Sequence, residues 1–193
     1  MFRLMILWIS EKIRMFGKAG VSLRTFSLLK GMPVYNHQRD LLGEICDICI
    51  TDDGRVSDIL LHKKGLFGKK FRIPIEYVHS FGEQEVVIAD EQHITKWYER
   101  EGMYTMHHCN PISKKSTSSQ SGEHLGLLDD VYFLEEVGTI VGYELTDGFF
   151  SDIKKGKRVI RTPHPPKIGK DSMIVSVTKL RGGEAHDEMS ELP

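Results

Sequence analysis

Long apolar runs are missing from this chain of 193 residues. The strongest, Phe2 to Ile9, is eight residues broken by Arg3, far short of the ~20 that cross a bilayer. It also lacks the small-residue cleavage site of a secretory signal. Residues 2–16 are therefore expected to be an N-terminal extension or disordered arm, with an interfacial amphipathic helix or a partner-docking segment as the other readings. Net charge is nearly absent too, at −1, so any attraction to nucleic acid or anionic lipid must come from local patches. Cysteine is scarce: three residues, an odd number, argue against a disulfide framework and fit a reducing cytoplasm. No glycine-rich phosphate loop, nucleophile elbow or metalloprotease helix occurs, and Gly65-x-x-Gly68-Lys69-Lys70 lacks both the spacing and the Ser/Thr of a P-loop.

The residues that could carry chemistry do not converge. Cys46 and Cys49 sit in the strand-like run Ile45 to Ile50, where positions three apart point to opposite faces. A redox pair needs a helix N-terminus, and a zinc ribbon needs a second pair. His93, His107, His108 and Cys109 have no metal-ligand spacing. No cofactor, metal or catalytic role is expected, and the chain reads as a non-enzyme with no small-molecule substrate.

What the chain does contain is recurrence. Gly54-Arg55-Val56-Ser57-Asp58-Ile59 is echoed by Gly148-Phe149-Phe150-Ser151-Asp152-Ile153, 94 positions later (148 − 54). In the flanks, at slightly different spacings, Gly43-Glu44-Ile45 answers Gly138-Thr139-Ile140, Cys46 answers Val141, and Arg72-Ile73-Pro74 answers Arg161-Thr162-Pro163. A repeat of this length implies two copies of one small fold. Each copy reads as many short strands with turn signals between them, which suggests a small barrel or sandwich. Asp52-Asp53-Gly54 is a hairpin turn. Cys46, Ile48 and Ile50 are expected inside, with Asp47 and Cys49 outside.

Asp90 could cap a helix running to Glu101, with Ile94, Trp97 and Tyr98 at helical spacing. Residues 113–122, rich in Ser, Lys and Thr, read as a flexible linker. The expected organisation is thus an extension over 1–25, a first barrel over 26–90, helix and linker over 91–122, a degenerate second barrel over 123–180, and a disordered acidic tail over 181–193.

The pattern Gly31-Met32-Pro33-Val34, Gly43-Glu44-Ile45-Cys46-Asp47-Ile48, Asp52-Asp53-Gly54-Arg55-Val56, then Ile73-Pro74 through Val86-Val87-Ile88 resembles the PRC-barrel domains. The whole looks like the tandem PRC-barrel proteins of Gram-positive bacteria. The resemblance implies a mostly β protein: two small antiparallel PRC-type β-barrels joined by a short helix and flexible linker. It implies an interaction module, as in the cytoplasmic part of the photosynthetic reaction-centre H subunit and the C-terminal half of a ribosome-maturation factor, and carries no catalytic motif.

Function is then expected to be that of a cytoplasmic, non-catalytic adaptor for a macromolecular partner, most simply a protein. RNA or the ribosome, and a membrane surface reached through residues 2–16, are the alternatives. Candidate partner-binding residues are the basic runs Lys63, Lys64, Lys69, Lys70 and Arg72, and Lys154, Lys155, Lys157, Arg158 and Arg161. Side by side, these runs would make one positive surface.

Overall fold

A computed structural model describes residues 22–63, 69–148, 152–153, 156–162 and 164–177. The readings made for residues 2–16, Lys64, Lys154, Lys155 and the tail over 181–193 lie outside the described residues. In chain order the elements are β1 (Leu23–Thr25), α1 (Phe26–Leu29), β2 (Pro33–Tyr35), β3 (Leu41–Thr51), β4 (Val56–His62) and β5 (Lys70–Pro74). A 3-10 turn at Ile75–Tyr77 leads to β6 (Val78–Phe81) and β7 (Val86–Ile88). After a second 3-10 turn at Glu91–His93 come β8 (Thr95–Lys96), β9 (Met103–Thr105) and β10 (Ser116–Ser119). The chain continues through β11 (His124–Leu134), β12 (Ile140–Thr146), β13 (Arg158–Arg161), β14 (Lys167–Ile168) and β15 (Ser172–Val175).

The protein is mostly β, in two sheets. The first runs β6-β7-β2-β3-β4-β5-β8 with β9 also on β3; the second runs β14-β15-β10-β11-β12-β13 with β1 also on β11. Neither closes into the barrel that was expected. The end strands β8 and β14 have two residues each, too few for a ladder that would seal the gap.

The two sheets repeat one plan. β3 and β11 are both 11 residues long, and β4 and β12 both seven. β2 runs parallel to β7 as β10 does to β15. The matching positions are 83 apart for Asp47 and Asp130 (130 − 47) and 84 apart for Val56 and Ile140 (140 − 56). This corrects the register of 94: β12 is the counterpart of β4, not of β3, so the hexapeptide match was one strand out of step. Gly54 to Ile59 forms a turn and strand, whereas Gly148 follows β12 and Asp152–Ile153 is helical.

A bulge explains why the face assignment holds for Ile48 and Ile50 but not for Cys46. Ile45 opposes Leu61 but Asp47 opposes Leu60, leaving Cys46 as the extra residue. An extra residue shifts the in–out alternation by one. Ile45, Ile48 and Ile50 consequently join the core, Cys46 is half-buried, and Asp47 and Cys49 are buried on the other face. Asp129 is skipped in the same way between β11 and β12.

The segment read as helix and linker is neither. Asp90 does cap, accepting from the Gln92 N–H at 2.9 Å, but the turn ends after three residues because Thr95 pairs with Arg72 in extended form. Ser116–Ser119 is a strand held by β11 and β15 on either side. Its burial alternates, with Thr117 and Ser119 inside. Small hydroxyl side chains fill that space without the apolar signal that would have revealed a strand.

Between the sheets, one apolar cluster runs from Phe26 and Ile48 to Tyr143 and Val175. The backbones meet at a single antiparallel bridge, Arg55 with Thr139. Val56 donates its N–H to the Gly138 carbonyl at 2.8 Å, and Ile140 donates to Gly54 at 3.1 Å. These residues are all pairs at the spacing of 84, so the bridge lies on a pseudo-two-fold axis.

Candidate docking site

The strand that leads into each sheet docks on the other one. β1 precedes the first sheet but pairs with β11, matching Leu23, Arg24 and Thr25 to Leu134, Phe133 and Tyr132. β9 precedes the second sheet but pairs with β3, matching Met103, Tyr104 and Thr105 to Thr51, Ile50 and Cys49. After each lead the chain turns sharply, and a buried aspartate of the opposite sheet receives the exposed N–H groups. Asp47 accepts from Met106 at 2.9 Å and from His107 and His108 at 3.1 Å each. Asp130 accepts from Phe26 and Ser27, each at 3.1 Å. Each carboxylate also takes the N–H of the residue that follows it. Asp47 alone holds a side chain as well, the His108 Nδ1 at 2.5 Å. The two leads meet where the Phe26 ring edges against His107, with centroids 5.2 Å apart.

Burial raises the Asp130 carboxyl above its ordinary value, opposed by the hydrogen bonds from Ser27 and Val131. Burial likewise lifts Asp129, but Lys114 and Lys157 outweigh it and hold that carboxyl below its ordinary value.

The candidate basic residues divide sharply. Arg72 is committed to the fold: it pairs with Asp58 at 2.8 Å, and the Asp58 side chain is fully buried. Lys63 lies over the Phe71 ring at 5.1 Å. Lys157 is neutralised by Asp129 at 2.5 Å and Glu144 at 3.2 Å, and Arg158 by Asp147 at 2.8 Å. Arg161 is half-buried opposite Gly142. The two runs are not counterparts, since β5 and β13 align Arg72 with Val159 rather than with Arg161. They also belong to different sheets, β5 to the first and β13 to the second.

Lys69 and Lys70 behave differently. With Lys96, Trp97, Tyr98 and Cys109 they line an open depression of about 410 Å³. β8 sets Lys96 beside β5, and just after it the Trp97 backbone N–H donates to the Lys70 carbonyl at 3.0 Å, with Tyr98 following. The Lys70 ammonium stands 5.9 Å from the Trp97 ring centroid, and Tyr98 is 63% exposed. Among the described residues, none of these three lysines has a carboxylate within ion-pair reach. Continuing the β4–β5 and β12–β13 registers makes Lys70 the counterpart of Lys157. Where Lys157 meets Asp129 and Glu144, the first sheet has Cys46 and Leu60. The same fold position is thus neutral on one sheet and positive on the other.

Beneath the depression, burial pushes the Cys49 thiol up to about 12, with Asp58 adding to the shift. Burial pushes Cys46 up to about 11, and Lys70 opposes it. Neither is a nucleophile at neutral pH. Reading the sequence alone missed Lys96, Trp97 and Tyr98 as site residues because the helical assignment separated them from Lys69 and Lys70. No cluster of three metal-ligating side chains occurs among the described residues. No helix among them is long and apolar enough to cross a membrane.

A family model described as the PRC-barrel domain matches residues 23–93. The chain is also 32% identical over 160 residues to the uncharacterized protein YrrD of Bacillus subtilis (strain 168), an alignment spanning 80% of this chain and 88% of that one.

Proposed function

The chain belongs to the family of YrrD and carries a PRC-barrel domain over residues 23–93, and from that premise we propose that it is a non-catalytic cytoplasmic adaptor made of two PRC-type modules. The second sheet is the second module. Its strand order, registers and buried aspartate repeat those of the first. Further sequence likeness follows the same spacing: Ile94-Thr95-Lys96 is matched by Val177-Thr178-Lys179, 83 positions on (177 − 94). Ile94 and Val177 both pack against the core.

The exchanged leads fix the modules as one body, so the two outer faces are held at a set angle, as suits a scaffold. The observation that carries the reading is the contrast at Lys70 and Lys157. One module neutralises that position with two carboxylates and the other leaves three lysines beside two aromatic rings. Exposed aromatic and cationic groups gathered in a depression are a usual form of docking site. The partner is macromolecular and engages the first module at this edge.

Affinity capture from native lysate with the wild type and a Lys69→Glu/Lys70→Glu variant tests this. Both lysines are surface residues outside the core, so the variant keeps its melting temperature within the small range of surface substitutions. The wild type retains a defined partner that the variant loses. Identical capture by both proteins would remove the adaptor reading at this edge.

A further inference from the structure

We infer that the depression formed by Lys69, Lys70, Lys96, Trp97 and Tyr98 binds single-stranded nucleic acid, an assignment that rests on the adaptor reading and names its partner's chemistry. Such sites combine ammonium groups that follow the phosphates with an aromatic face on which a base stacks. Both parts are here, and they come from distant stretches of chain. Lys69 and Lys70 lie at the start of β5, while Lys96 ends β8, which pairs with β5, and Trp97 and Tyr98 follow directly after it. Tyr98 is the most exposed aromatic residue among the large exposed hydrophobics, at 63%. A side chain of that size left in water beside cations is where a planar base would lie.

Three further points favour a nucleic acid over an acidic protein segment. The depression, about 410 Å³, falls in the range of pockets that accept one compact group, as a single nucleotide is. An acidic peptide would use the lysines and leave the Tyr98 ring without a role. Finally, among the described residues no carboxylate lines the depression, although the chain as a whole carries −1, so the positive potential is local. A short-range contact of about three phosphates and one stacked base is what this geometry provides.

The test is fluorescence anisotropy of the full chain with a labelled mixed-sequence 12-nucleotide RNA and with the DNA of the same sequence, across a salt series. Three phosphate contacts give a slope of log K against log[salt] near about −2 for a single strand. Tyr98→Ala weakens binding roughly 5- to 100-fold, the range for one lost base stack. Tyr98→Phe, which keeps the ring, restores it. Lys96→Glu weakens binding and flattens the salt slope. RNA and DNA binding alike places the recognition in phosphate and base face; a preference for RNA adds the 2′-hydroxyl as a contact and supports the same site.

Three outcomes overturn the inference. They are absence of binding at low salt, binding that Tyr98→Ala leaves unchanged, and displacement of RNA by a poly-glutamate peptide at equal charge concentration. In any of these cases, capture of a partner that still depends on Lys69 and Lys70 leaves the adaptor reading standing, so the two failures can be told apart.

Discussion

Replacing Asp47 with alanine should unfasten the lead of the second module from the first sheet. Asp47 is fully buried and accepts three N–H groups from residues 106–108, plus its own neighbour's and the His108 ring nitrogen. Each hydrogen bond to a charged acceptor contributes about 1.5–3 kcal/mol net, and a buried donor left without a partner costs about 1–3 kcal/mol. The bonds share one carboxylate and cannot be summed, so a loss of about 3–5 kcal/mol is the expected scale. That is a large part of the ~5–15 kcal/mol that holds a domain together. Asp130→Ala removes two such cross-module bonds and no histidine contact, so its loss is smaller, about 2–4 kcal/mol. Equilibrium urea unfolding followed by tryptophan fluorescence and by far-ultraviolet circular dichroism measures both. The reasoning expects one coincident transition in every variant, displaced to lower urea, because each aspartate belongs to one module and grips the lead of the other. A loss below about 1 kcal/mol for Asp47→Ala, or two separate transitions of which only one moves, would refute it.

Gly138 has φ +68° and a Cβ there would be driven into the carbonyl of Val56, whose N–H donates to Gly138 at the pseudo-dyad. Gly138→Ala should therefore cost more than about 2 kcal/mol in thermal or urea unfolding, against about 1 kcal/mol for Gly156→Ala, which has a similar φ of +73° and open space. Iodoacetamide at about pH 8 should modify Cys109 in the native protein and leave Cys46 and Cys49 intact. The rise of Cys46 from 9.0 to about 11 lowers its thiolate fraction about 100-fold. Mass mapping after digestion reads this directly, and fast native labelling of Cys49 would count against its burial. Asp130 binds its proton more tightly folded than unfolded, so it lowers stability as pH rises from its ordinary 3.8 through the raised folded value. Urea midpoints across that window should fall less with pH in Asp130→Asn than in the wild type; equal slopes would show that Asp130 is not the group concerned.

The first module was largely legible in the sequence. Strands β2 to β5, β7 and the turn at Asp52-Asp53-Gly54 follow from alternation and turn chemistry, and Gly54 has the positive φ that such a turn demands, at +74°. The second module was not, and the cause is specific. The motif Ser-Asp-Ile recurs at Ser151-Asp152-Ile153 by sequence alone, and aligning on it moved β12 into the place of β3. The true correspondence is carried by residues that share a position without sharing a type: Cys46 with Asp129, Leu60 with Glu144, Tyr132 with Cys49. Asp47, which Asp130 matches at the true spacing, looked like an ordinary outward acid because the period-two pattern sets it opposite Ile48 and does not show that residues 106–108 cover it. The site suffered from the same kind of error. Ile94, Trp97 and Tyr98 do have helical spacing, but the β-branched Thr95 finds a strand partner in β5, and pairing across the sheet overrides the local preference.

The exchange of leads has a consequence for how the chain reaches its fold. The well at Asp47 is filled by residues 106–108, which follow every strand from β2 to β8. The well at Asp130 is filled by Phe26 and Ser27, which precede all of them. Neither module can complete its polar core from its own sequence, and a carboxylate without those donors is a buried charge that opposes collapse. These bonds link segments 59–61 residues apart at Asp47 and 103–104 apart at Asp130, a topology in which loop-closure entropy comes before the stabilising contacts. The same arrangement leaves the two sheets free to differ at Lys70 and Lys157. Cohesion resides in the two aspartates, the pseudo-dyad bridge and the shared core, all away from the β5 and β13 edges. One edge can then be neutralised and the other left positive without loosening the body that carries them.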